Sequence, residues 1–206
     1  MLRSLAQVRV GSERFDVLTE RMESSGVSSR DGFAYCAKAE KVLSDIRCGV
    51  RLKHVDLSDC GLSDIPDAVF QLGDCLEILN LGGNMISKLS DSVIALQKLR
   101  ILFFAQNCFT EIPSVLGKLS SLYMLSFKCN KISFIDEESL SEGLGWLILT
   151  DNKISALPSS IGKLTGLRKL MLAGNEITSL TNELQHCKVS NFSLRKPSKR
   201  CSQYEI

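Results

Sequence analysis

Leu144-Gly-Trp-Leu147-Ile-Leu149-Thr-Asp-Asn152-Lys-Ile154-Ser-Ala-Leu157-Pro158-Ser-Ser-Ile161-Gly-Lys-Leu164-Thr-Gly166 is the stretch whose reading decides the fold. Its apolar residues stand at fixed distances from one asparagine and one proline. The same pattern opens at Leu52, Leu76, Leu99, Leu122 and Leu167, so successive copies are 24, 23, 23, 22 and 23 residues apart. Self-similarity at this period marks a stacked solenoid and outranks any local helix or strand assignment. In such an array each unit contacts only its neighbours, and one core runs along the axis.

Within each copy the opening segment alternates. In Leu76-Glu-Ile-Leu79-Asn-Leu81 the first, fourth and sixth residues point inward. Leu52/Val55/Leu57, Leu99/Leu102/Phe104, Leu122/Leu125/Phe127, Leu144/Leu147/Leu149 and Leu167/Leu170/Leu172 repeat the arrangement. Stacked one copy apart, these segments make a parallel sheet. The chain then turns at Asn84, Asn107, Asn130, Asn152 and Asn175. An asparagine amide both donates to and accepts from backbone groups that a tight buried turn leaves unpaired, so these five are expected to form a structural ladder.

This pattern, LxxLxLxxN followed by a further apolar residue and a proline, resembles the leucine-rich repeat from Leu52 to Leu184. The segments Ile112-Pro113-Ser-Val-Leu116-Gly117-Lys-Leu119 and Leu157-Pro158-Ser-Ser-Ile161-Gly162-Lys-Leu164 are similar to the 23-residue subclass of intracellular Ras-group repeats. The resemblance implies an α/β solenoid with a parallel concave sheet inside, short helical or irregular segments outside, and protein partners. Leu99 to Phe104, Trp146 to Asn152 and Lys169 to Asn175 also resemble repeats that precede a small protein-kinase domain in some bacterial and plant proteins. The chain carries no His-Arg-Asp or Asp-Phe-Gly, so this kinship implies a sensing or scaffolding half, or a kinase-family protein lacking its kinase domain.

Residues 1–50 lack the repeat. Ser12 to Ser24 and Asp31 to Arg47 read as helices, the second with Phe33, Cys36, Ala37, Leu43 and Ile46 near one face. A helical cap over the first repeat is expected, after a poorly ordered start before Ser12. The array occupies 51–195 as six repeats and a partial seventh (Val189, Phe192, Leu194), and 196–206 is a basic tail. Cys60 stands where the first repeat would have its asparagine. The fourth repeat is one residue short and replaces its proline segment with Asp136-Glu-Glu-Ser-Leu140-Ser-Glu142, read as a short solvated helix started by Asp136.

With 25 basic and 23 acidic residues, net charge is +2, which gives no reason to expect nucleic acid. No apolar run approaches the roughly 20 residues of a membrane span, and the N-terminus lacks a secretory signal, so a cytoplasmic protein is expected. Arg3, Arg9 and Arg14 leave a mitochondrial presequence as the competing reading. The eight cysteines have no C-x-x-C, and His54 and His186 are far apart in sequence, so no metal site is expected. All thiols are expected to be reduced in that compartment, and Asn191-Phe192-Ser193 to be silent as a glycosylation pattern.

Catalysis finds no support. Gly162-Lys163-Leu164-Thr165 lacks the upstream glycine of a phosphate loop, and two isolated histidines make no triad. No cofactor is expected. The candidate binding surface consists of the outward residues of the strands: Ile78, Ile101, Phe103, Tyr123, Met124, Trp146, Ile148 and Met171. Asp56 and Asp59 lie at one end of this band, Arg168 and Lys169 at the other. Either the band is an interface or its side chains only cover one another. The expected function is a monomeric protein-binding scaffold in signalling, with a regulatory module acting on a kinase or small GTPase, or a structural role, as alternatives.

Overall fold

The computed structural model describes residues 4–10, 13–19 and 36–194. Seven three-residue strands form one parallel sheet: β3 (His54–Asp56), β4 (Ile78–Asn80), β5 (Ile101–Phe103), β7 (Met124–Ser126), β9 (Trp146–Ile148), β10 (Lys169–Met171) and β11 (Asn191–Ser193). They lie side by side in chain order, one per repeat, as an α/β solenoid requires. The register aligns Val55, Leu79, Leu102, Leu125, Leu147, Leu170 and Phe192 in one column. That column faces the core, because alternate residues of a strand point to opposite faces.

The chain returns along the opposite side through 3-10 turns at Asp67–Leu72, Asp91–Ala95, Ser114–Lys118, Ser159–Lys163 and Asn182–His186. Pro66, Pro113 and Pro158 precede three of them, each with φ near −60° to −68°. Their rings hold the entry angle and remove a donor that the first turn leaves unpaired anyway. Ser90 and Thr181 enter the other two and accept from Ser92 N–H and Glu183 N–H. Two short strands, β6 (Glu111–Ile112) and β8 (Phe134–Ile135), pair in parallel beside the main sheet. At the centre Phe104 stacks on Phe127 with ring centroids 5.1 Å apart, and Phe109 meets both edge-on at 4.9 Å.

Each turn asparagine bonds in the same way. Asn130 Oδ1 accepts from Phe109 N–H (3.1 Å), and its Nδ2 donates to Phe104 C=O (2.8 Å) and Phe127 C=O (3.1 Å). Asn107, Asn152 and Asn175 likewise accept from Ile86, Ile132 and Ile154 of the repeat before. Asn84 accepts from both Cys60 and Leu62.

The N-terminal end differs from the sequence expectation in three ways. Residues 13–19 are not helical, and the stretch before Ser12 is not without structure. β1 (Ser4–Val10) and β2 (Glu13–Thr19) pair as an antiparallel hairpin. Two residues, Gly11 and Ser12, separate runs of period-two character, which is the spacing of a two-residue hairpin connection and outweighs the weaker helical pattern. The other residues of the expected first helix, Phe33 and residues 31–35 lie outside the described residues.

The second helix is α1 (Ala37–Arg47). It buries Ala39, Leu43 and Ile46, while Ala37 is exposed on its first turn. Lastly, Cys36, which precedes α1 and accepts from Ala39 N–H, is joined by a disulfide to Cys60, so the expectation of reduced thiols fails for this pair, and it fails also for Cys129, which is disulfide-bonded. α1 packs against the first repeat and brings Cys36 to its turn, where a thiol stands in place of an amide, with the two Cα atoms 5.1 Å apart. Lys38 adds an ion pair to Asp56 at 2.9 Å.

The fourth repeat is also corrected. Asp136 does not start a helix; its Oδ1 accepts from Glu138 N–H in a local turn. Glu137 reaches forward instead, and accepts from Ser159 N–H and Ser160 N–H at the start of the next 3-10 turn. These bonds hold its carboxyl below the usual range.

Asn130→Ala leaves buried backbone groups of two repeats unpaired and is expected to destabilise the array by about 1–3 kcal/mol, read as a lower denaturation midpoint. Unchanged stability would show that the amide carries no load. Cys36→Ser, or reduction of the wild-type protein, is expected to cost about 2–4 kcal/mol through the freed loop. Calorimetry with and without reductant checks this, since Cys36→Ser should abolish any effect of reductant on the melting of this end.

Candidate functional site

The strand register turns the outward-facing residues into rows. His54, Ile78, Ile101, Met124, Trp146, Lys169 and Asn191 form one, and Asp56, Asn80, Phe103, Ser126, Ile148, Met171 and Ser193 form the next. Seven of the eight candidate residues gather into one apolar cluster separate from the core: Ile78, Ile101 and Met124, with Phe103, Tyr123, Trp146 and Ile148 packed against them. Met171 lies one strand farther on, half-buried and outside that cluster.

The eight do not share one role. Ile101 is 0% exposed, and Ile78 and Met124 are nearly as closed, so these three are a floor covered by their neighbours. Phe103, Tyr123, Trp146, Ile148 and Met171 remain half-open. Tyr123 lies across Gly145, where any side chain would overlap its ring. Lys169 places its ammonium 4.4 Å from the Trp146 ring centroid, an attraction between cation and π-face. The basic end of the band therefore begins on the tryptophan itself.

At the other end the acids are already engaged. Asp56 pairs with Lys38 and accepts from Ser58 N–H. Asp59 sits in the left-handed region at φ 56° and fills the space beside Gly83.

Of the third row the sequence reading singles out only Tyr123 and Arg168. Lys53, Glu77, Arg100, Tyr123, Gly145 and Arg168 occupy the second position of successive repeats. Lys53 Nζ lies 2.8 Å from Glu77 Oε1, and the Lys53 hydrogen bond holds the Glu77 carboxyl below its ordinary value of 4.5. The signal was present in the first three of these positions, Lys53, Glu77 and Arg100, whose charges alternate once the repeats are aligned. Beside it, Lys53, Asp74, Cys75, Glu77, Lys98, Arg100 and Ser121 line a cleft of about 660 Å³. Among the described residues no group of histidine, cysteine and acidic side chains is arranged to hold a metal ion.

A sequence model of the leucine-rich repeat region matches residues 33–145, more than half of the chain. The chain belongs to the leucine-rich repeat family. Solved structures agree with the fold. A leucine-rich repeat protein of Leptospira interrogans is 27% identical with a TM-score of 0.53, over 70% of this chain and 42% of its own. TLR13, in its complex with the RNA ssRNA13, is 26% identical with a TM-score of 0.65 over 71% of this chain. The Toll–Spatzle complex of Drosophila is 26% identical, with a TM-score of 0.56 over 62%. The leucine-rich repeat chain spans only 22% of the TLR13 chain and 19% of the chain matched in the Drosophila complex. No curated protein matches it. Among the described residues no helix is long and apolar enough to cross a membrane.

The Lys53–Glu77 pair has a defined pH dependence. A carboxyl whose pKa is lower in the folded state than in the unfolded one contributes stability that is full above its ordinary value of 4.5 and is lost as pH falls through the lowered value. Lys53→Met is expected to raise the Glu77 titration midpoint, followed by carbon-13 NMR of the side-chain carboxyl. An unmoved midpoint would show that the ammonium is not the cause.

Proposed function

We propose that this leucine-rich repeat chain is a protein-binding scaffold whose concave sheet holds the partner. The observation that carries the reading is the half-open band Phe103, Tyr123, Trp146, Ile148 and Met171, laid over a closed floor of Ile78, Ile101 and Met124. Monomers rarely leave contiguous apolar surface uncovered, and aromatic anchors near an interface centre dominate affinity. A rigid floor beneath such anchors reduces the ordering cost of binding. The structural relatives captured as complexes support a binding role in general.

In this reading the chain acts without catalysis or cofactor, as a monomer, with 1–50 as the N-terminal cap region, 51–195 as the array and 196–206 as a basic tail. A cytoplasmic location is supported by the free thiols of Cys48, Cys75, Cys108 and Cys187 among the described residues. Cys187 donates to Ile161 C=O at 3.1 Å, and burial pushes its thiol pKa up, as for an inert structural thiol. The Cys36–Cys60 bond and the disulfide at Cys129 pull the other way, towards an oxidising compartment. Alkylation of the protein in intact cells decides between them. The regulatory reading, in trans on a kinase or small GTPase, rests on the resemblance of the repeats to Ras-group and kinase-associated ones.

Phe103→Glu and Trp146→Glu are each expected to weaken a partner captured from cell extract by more than about 2 kcal/mol, with the fold retained. Lys118→Glu, exposed on the opposite side, is expected to leave affinity unchanged. Titration calorimetry against the captured protein checks both. Normal binding by both concave variants would reduce the band to packing.

A further inference from the structure

The acids of the concave face are committed to the chain itself, whereas part of its basic charge is not. Asp56 pairs with Lys38 at 2.9 Å. Glu77 pairs with Lys53 at 2.8 Å, and the charges of Arg100 and His54 add to the pull on its carboxyl. Asp59 lies against Gly83 and Asp151 against Gly174, each on the turn of the next repeat. Lys128 and Arg168, by contrast, are exposed, and among the described residues neither has an ion pair. The acidic end expected from the sequence is therefore neutralised internally, and the charge left for a partner is positive.

The strand register sets these bases on a diagonal across the apolar band. Lys169, whose ammonium lies on the Trp146 ring, is level with Trp146 on the neighbouring strand, and Arg168 stands just before it. Lys128 follows two residues after Ser126, the last residue of β7, which is level with Ile148. Trp146 and Ile148 of β9 thus lie between Arg168 at one end of the strands and Lys128 at the other. Lys128 comes five residues after Tyr123, which is the counterpart of Arg168 in its own repeat. That length of extended chain, combined with two strand spacings, separates the two bases by roughly 20 Å, the reach of about six extended residues.

We infer that the concave face takes an extended acidic segment of a partner protein, with an apolar or aromatic residue on Trp146 and Ile148 and acidic residues about six apart at Arg168 and Lys128. This rests on the reading of the concave sheet as the binding face and adds the chemistry of what it binds. The apolar contact supplies most of the affinity, and the two flanking charges reject basic segments. A nucleic-acid strand carries a phosphate at every residue, whereas here the two free bases are far apart and aliphatic Ile148 lies between them. That spacing matches a peptide.

The probe is a phage-displayed library of random twelve-residue peptides, selected on the immobilised full chain and counter-selected on an unrelated protein. The enriched sequences are expected to carry aspartate or glutamate on both sides of an aromatic or aliphatic residue. The synthetic consensus peptide is expected to bind at least tenfold more weakly to Arg168→Glu, Lys128→Glu and Trp146→Glu, and equally well to Lys118→Glu. Selection on the double variant Lys128→Glu/Arg168→Glu is expected to enrich lysine and arginine at the flanks instead. Lys128→Gln/Arg168→Gln, which should abolish the acidic preference, replaces it if the reversal lowers the melting temperature. Enriched peptides that depend on Trp146 but show no preference for acids would overturn the acidic assignment and leave the concave face as the binding surface. Peptides indifferent to Trp146→Glu would overturn both. A library that yields nothing beyond the unrelated protein, or a consensus peptide displaced by an equal concentration of a twelve-nucleotide oligouridylate, would also refute the assignment.

Discussion

Every repeat must reverse direction inside the protein, where water cannot satisfy the backbone, and the asparagine amide is what makes that reversal possible. One side chain bonds a donor of the preceding turn, a carbonyl of the preceding strand end and a carbonyl of its own repeat. Neighbouring layers are thereby held at one spacing and one register. The residue just before each asparagine position completes the turn in the left-handed region. Asp59, Gln106, Cys129 and Asp151 all have φ of 55–56°, and Gly83 and Gly174 have 67° and 76°. A non-glycine residue there costs roughly 1 kcal/mol or more, which the fully bonded amide beside it offsets.

That locked register governs the concave face. With one residue per strand in each row, side chains recur at the strand spacing of about 4.8 Å. A large ring is wider than this interval, so it lies over its neighbour. Tyr123 does so over Gly145, and the neighbours of Ile101 close it completely. A band of eight apolar residues therefore becomes two layers, one structural and one available. Lys169 extends the available layer by laying its ammonium on Trp146.

The array was legible because periodicity averages over many residues: six turns in register leave no alternative pairing of the leucines. The five asparagines could be read individually, since their chemistry has a single use at a buried turn. What could not be read lies where no repeat supports the inference. β1 reads as an unstructured start and β2 as a helix because a lone segment of mixed pattern must be assigned without a neighbour. The Cys36–Cys60 bond depends on how α1 sits on the first repeat, which no spacing encodes. Asp136 carried the residue type that starts helices, but Glu137 is committed to Ser159 and Ser160 of the next layer, a tertiary bond that local preference does not see. Exposure of Ile101 against Phe103 was likewise hidden, because both read as outward-facing apolar residues of the same strand.

The two ends of the array are closed by different means, and this bears on where binding can be stable. In a solenoid each inner layer has two interfaces and each end layer has one, so local opening begins at the ends. At the N-terminal end α1, the Cys36–Cys60 bond and the Lys38–Asp56 pair replace the missing interface. At β11 Phe192 and the adjoining Leu194 remain open instead, so opening should begin there and move inward. Phe103 and Trp146 stand on β5 and β9, with at least β10 and β11 between them and that edge. Their floor, Ile78, Ile101 and Met124, extends still farther toward the clasped end. A concave site in this position keeps its shape while the last strand exchanges between paired and unpaired states, so events at the edge and at the face are separated by intact layers.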